Sequence, residues 1–150
     1  MRPMARIFDD GGRKAAGYKG AARDCVTRSI AIVTKRPYAE VYKALSAGMG
    51  TMRNPKTGLK RPASARNGVF TKERWFKAYM KSLGFTWVST MGIGTGCKVH
   101  LVAGELPDGR LVVQVSNHCT AVIDGIIHDT FDPQREKGRC VYGYWRLDTI

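Results

Sequence analysis

The sequence predicts an α+β domain in which N-terminal helices pack on a C-terminal antiparallel sheet or half-barrel. Three observations carry that reading. Apolar residues recur at helical spacing between Asp24 and Gly84, the period shifts toward two after Gly84, and Asp124-Gly125 sits between two β-branched pairs. Helices first and strands second is the segregation expected of an α+β chain. The 150 residues, 43% of them hydrophobic, suit one domain spanning 1–150 with a real core.

Residues 1–20 are rich in glycine and basic residues with little periodicity and read as an extended basic arm. Asp24 is suited to cap a first helix in which Cys25, Val26, Ser29, Ile30 and Val33 recur over about three turns. Pro37 opens a second helix with Val41, Tyr42 and Leu45 on its buried side and Gly48 as its stop. Residues 48–70 form a long basic loop without a convincing period, a length that is usually functional or disordered. Thr71 is suited to cap a third helix with Trp75, Phe76, Tyr79, Met80 and Leu83 as an apolar stripe, closed by Gly84. Strands are expected over 85–89, 98–102, 110–116, 119–123, 126–129 and 140–147, between turn signals such as Pro107-Asp108-Gly109. The helical and alternating spacing of the aromatics Trp75, Phe76, Tyr79, Tyr142, Tyr144 and Trp145 assigns them to the core.

Ser116 to Pro133 organises the rest. Val122-Ile123 and Ile126-Ile127 flank Asp124-Gly125, a strong hairpin signal because both central residues of a type I′ turn need positive φ. With a two-residue turn, opposed positions sum to 249. His118 then faces Phe131, and Asp129, one diagonal step away, is the acid on the histidine's side. A three-residue turn would reverse the parity and favour Asp132. Cys119, Ala121 and Ile123 form the other, apolar face.

A histidine held by a carboxylate is half of a nucleophilic site, and Cys25 supplies the other half. It opens an apolar helix, where free N–H groups and the helix dipole favour a thiolate, with Arg23 and Arg28 nearby. A lone cysteine in that place reads first as the helix's first core residue. A histidine and an acid far away in sequence favour the nucleophile. His100 and His128 are weaker bases, the latter on the apolar face of the hairpin.

No stretch approaches the ~18 consecutive apolar residues of a membrane span, and the first residues lack a signal-peptide core, so a cytoplasmic protein without membrane association is expected. Four cysteines (Cys25, Cys97, Cys119, Cys140) in such a chain do not read as a disulfide framework. The charge is uneven: residues 1–74 hold 17 Lys and Arg against 5 Asp and Glu, whereas residues 75–150 hold 8 against 7. The N-terminal half is therefore suited to nucleic acid or another acidic partner, or is simply a solvated face. The loop from Arg53 to Arg74 lacks stacking aromatics before Phe70. Gly92-x-Gly94-x-Gly96 precedes a strand rather than a helix, against a dinucleotide fingerprint. Cys97, His100, Cys119 and Cys140 fit no common zinc spacing.

Asp24-Cys25 at a helix start, His118 opening a strand with Ala121-Val122-Ile123 after it, and Asp129-Thr130 ending the next strand resemble the papain-like cysteine peptidase superfamily. The order and spacing are similar to those of bacteriocin-leader peptidases and of small papain-like proteins encoded by phages. The resemblance runs over residues 19–133 on three short motifs. It implies a Cys25–His118–Asp129 triad, a peptide or protein substrate, and no cofactor or metal. It also implies a glutamine about six residues before the cysteine as oxyanion donor. Lys19 lies near that position here, leaving Lys19 or Asn117 as the second donor beside the Cys25 N–H. The runner-up is an inactive scaffold that binds nucleic acid or a host protein through its basic half.

Overall fold

The computed structural model describes residues 2–92 and 94–148. Its elements run β1 (Ala5–Phe8), α1 (Cys25–Thr34), α2 (Tyr38–Met49), α3 (Arg74–Ser82), β2 (Phe85–Ser89), β3 (Arg110–Val115), β4 (His118–Ile123), β5 (Ile126–Asp129) and β6 (Gly143–Leu147). The chain is α+β, with one six-stranded sheet in the order β1-β5-β4-β3-β6-β2. The sheet is mixed rather than antiparallel, because β1 pairs in parallel with β5.

Alternation along the central strands divides the core between the two faces of the sheet. Val112, Cys119 and Ala121 pack with Ile30, Val33, Leu45, Phe76 and Met80 of the helices. Leu111, Val113, Val115, Val122 and Ile127 point the other way and are covered by Met4, Leu101 and Val141 from loops. One layer of helices and one layer of ordered loop therefore cover the sheet. The last carbonyls of α1, which have no intrahelical partner, are met from the sheet: the Arg110 guanidinium donates to Val33 O at 2.6 Å and Ile32 O at 2.9 Å.

Several local expectations are corrected. The N-terminal arm is tied down: its Ala5–Phe8 forms an edge strand, and residues 11–17 wind through turns that set Tyr18 against Tyr38 and Tyr42, with ring centroids 5.0 and 4.7 Å apart. The 98–102 segment makes only a single bridge, His100 to Cys140, so β1 takes its place as the sixth strand. Helix α2 continues past Gly48 to Met49, and Gly48 serves packing: a Cβ there would lie 2.1 Å from the Trp75 ring. Thr71 lies upstream of the Glu73 position from which α3 starts. The 48–70 segment holds no helix beyond Met49 and no strand of the sheet, but it is anchored where buried Ala65 donates its N–H to Ser46 Oγ at 2.9 Å.

Cys97 and Cys140 are joined by a disulfide across 43 residues, although the four cysteines do not read as a disulfide framework. Spacing could not reveal this, because the pair meets only where the loop after β2 returns to the start of β6. Ile93, within the glycine-rich loop, lies outside the described residues. Among the described residues no helix is long and apolar enough to cross a membrane.

Candidate active site

The hairpin has the expected register. Ile123 pairs with Ile126, Val122 with Ile127 and Ala121 with His128, and Asp124 and Gly125 have φ of 49° and 79°. The two-residue turn therefore selects Asp129 over Asp132. The His118 ring lies tilted by 47° against its opposite residue Phe131, 4.9 Å between centroids, and its Nε2 lies 2.8 Å from Asp129 Oδ2. Thr120, directly across from Asp129, donates to the same oxygen at 2.8 Å. Both His118 and Asp129 are buried. Asp132 instead accepts from the backbone and amide of Gln134.

With Nε2 engaged, Nδ1 is the ring nitrogen left for Cys25. The two side chains interact: the thiol is lowered to about 4, by a hydrogen bond from Cys119 first, against burial, and then by the hydrogen bond and charge of His118. Burial opposes charging of His118, but its bonds to Asp129 and Cys25 outweigh this and raise it to about 9. Asp129 is held low by His118 and Thr120 despite its own burial. Cys119, deeper in the core, is pushed up by Cys25 and by burial, so it stays a thiol whose single S–H is shared between Cys25 and Gln114 Oε1. A thiol lowered and an imidazole raised beside each other favour a thiolate–imidazolium pair at neutral pH.

What positions Cys25 differs from the expected cap. The Asp24 carboxylate makes no capping bond to the helix. It is buried and bound to the Arg28 guanidinium, to Tyr38 Oη at 2.7 Å and to Arg13 Nε at 3.4 Å. Arg28 then reaches Asp129 Oδ1 at 3.1 Å. Arg13, Asp24, Arg28, Asp129, His118 and Cys25 thus form a chain of alternating charge that joins the start of α1 to the ends of β4 and β5. Each buried ion has an opposite neighbour, the condition under which burying charge is tolerable. Ser29 adds a neutral tie, its hydroxyl 2.6 Å from Cys25 O and 3.3 Å from Cys119 O.

Thr120 was legible in principle, since it pairs with Asp129 at the same sum as the rest of the hairpin. Arg28 signalled itself as a charge inside an otherwise apolar helix. Tyr38 and Arg13 gave no local sign of their role.

The remaining candidates lie elsewhere. His100 Nδ1 pairs with Glu105 Oε1 at 3.1 Å, and half-buried His128 lies 3.7 Å from Asp9. Lys19 and Asn117 are both exposed, Asn117 in the left-handed conformation with φ 56°. Gln114, the glutamine nearest the site, has its amide engaged: Oε1 accepts from Cys119 Sγ at 3.0 Å and Nε2 donates to Val115 O and His118 O. Among the described residues no three His, Cys, Asp or Glu side chains converge as metal ligands, and the disulfide leaves neither Cys97 nor Cys140 as a thiolate.

A cavity of about 430 Å³ opens beside the site, with Gln114, Asn117, Trp87, Tyr142 and Trp145 in its walls. Tyr142, 39% exposed, and Trp145 are therefore cavity wall rather than pure core. No protein-family model matches the chain, and no curated protein or solved structure matches it either.

Proposed function

We propose that this chain is a papain-like cysteine peptidase, or a related thiol acyl-transfer hydrolase, acting on a peptide or isopeptide bond. The observation that carries the reading is the meeting of Cys25, His118 and Asp129 from three separate elements, with Nε2 of the histidine held by the acid and the thiol lowered beside it. The Cys25 thiolate attacks the carbonyl, and the carbonyl electrons move to oxygen. As the tetrahedral adduct collapses, His118 gives its proton to the departing amine. It then takes one from the water that attacks the thioester, and the acid is released with the thiolate and protonated imidazole restored. Asp129 keeps the ring oriented throughout and stabilises its charged form.

The Cys25 backbone N–H, at the first helical position, has no intrahelical partner and supplies one oxyanion donor. Lys19 and Asn117, both exposed, are the candidates for a second. A cytoplasmic setting, that of the host if the chain is phage-borne, belongs to this reading.

The test is labelling with a peptide-derived thiol-reactive electrophile, followed by identification of the modified residue. Modification of Cys25, abolished in Cys25→Ala and in His118→Ala, is expected; labelling spread over Cys119, or none at all, would refute the reading.

A second reading keeps the scaffold without the chemistry. Exposed Arg53, Lys56, Lys60 and Arg66 favour it, as does the engaged amide of Gln114. It requires nucleic-acid binding that survives Cys25→Ala and falls steeply with salt.

A further inference from the structure

We propose that the cavity beside Cys25 is a subsite for an apolar peptide side chain flanked by a carboxylate, so that the substrate is an acidic, apolar peptide segment. The inference rests on the peptidase reading for the reaction but not for the binding. Two features connect the cavity to the reacting groups, which do not themselves line it. Gln114 in its wall is hydrogen-bonded to Cys119 Sγ at 3.0 Å and to His118 O at 3.3 Å, and Asn117, also in the wall, directly precedes His118. Its volume of about 430 Å³ lies within the range of small-ligand sites.

The walls state the chemistry. Trp87 and Trp145 are directly paired across β2 and β6 with centroids 5.1 Å apart, and Tyr142 stands beside them. Trp87 remains 41% exposed, an apolar surface left open on one side of a cavity. The ring is also seated by the backbone: a Cβ on Gly143 would lie 2.3 Å from Trp87 Cζ2, so only glycine lets the indole lie across β6. Lys72 and Lys77, both exposed, also line it, with Thr71 and Val115, and none of the lining residues is a carboxylate. Glu73 is next to Lys72 in the chain but does not line the cavity. An aromatic floor with two ammonium groups at its edge selects an apolar side chain with an acid next to it.

The test uses the full-length Cys25→Ala chain, which cannot turn over, with the peptide amides acetyl-Glu-Phe-Gly and acetyl-Lys-Phe-Gly as probes. Tryptophan fluorescence reports occupancy, because Trp87 and Trp145 form the wall. The acidic peptide is expected to bind saturably and more tightly than the basic one. Lys72→Glu with Lys77→Glu should weaken it about tenfold and make the basic peptide the better ligand. Trp87→Ala should weaken both peptides about tenfold or more. Absence of saturable binding, equal affinity for the two peptides, or indifference to Trp87→Ala overturns the proposal. Labelling of Cys25 in the unsubstituted chain is scored separately. Its failure with peptide selection intact removes the peptidase reading alone, and its success without selection removes the subsite alone.

Discussion

His118 Nε2 and Asp129 Oδ2 are 2.8 Å apart because a two-residue turn at Asp124-Gly125 sets their strands in register and puts them one diagonal step apart. The choice of acid is thus fixed by turn geometry. Replacing Asp129 by Asn should lower the rate of substrate turnover by about a hundredfold or more, since the ring loses the partner that stabilises its charge. Asp132→Asn should leave the rate unchanged. Steady-state kinetics of the two variants separates them, and the reverse ranking would contradict the register argument.

The alternating charge chain is a matter of stability as well as orientation. Replacing Arg28 by Met leaves Asp24 and Asp129 buried without their shared cation, which is expected to cost about 3–5 kcal/mol. Chemical denaturation should show it as a lower midpoint with an unchanged slope. Tyr38→Phe removes one hydrogen bond to the Asp24 carboxylate and should cost about 1.5–3 kcal/mol.

The Cys97–Cys140 link closes a loop across 43 residues. In the chain-entropy account a loop of that size stabilises by about 4 kcal/mol. Alkylation of the denatured, unreduced protein should modify two cysteines, Cys25 and Cys119, and full reduction should expose all four. Thermal unfolding should occur at lower temperature after reduction. Four accessible thiols before reduction would show that the bridge does not form where the protein is made.

Much of the hairpin and first helix could be read from the chain because both are governed by neighbours. Asp124-Gly125 dictates a turn, the turn dictates a register, and the register puts Asp129 one diagonal step from His118. The period of Val26, Ile30 and Val33 likewise marks α1 as a helix, although all residues from Val26 to Val33 are buried and no exposed face remains for that period to define. What stayed illegible is set by distant partners. Ala5–Phe8 shows no alternation of burial and is a strand only because β5 offers it an edge. Asp24 has the chemistry of a cap, but Arg28, Tyr38 and Arg13 compete for its carboxylate. Trp145 and Tyr142 sit in a pattern that reads as core, and only the seating of Trp87 on Gly143 opens a cavity beside them.

The pH dependence of Cys25 alkylation tests the central claim most directly. A thiol lowered to about 4 is already thiolate at neutral pH, and an imidazole raised to about 9 stays protonated beside it. The sign follows: the ion pair forms as pH rises through the thiol's value and is lost as pH rises through the imidazole's. Iodoacetamide should therefore modify Cys25 at pH 5 to 8 at a nearly constant rate, falling only toward pH 4, and His118→Ala should move the midpoint up toward the ordinary thiol range near ~8.5. A native protein whose Cys25 reacts only as pH approaches that range would contradict the account.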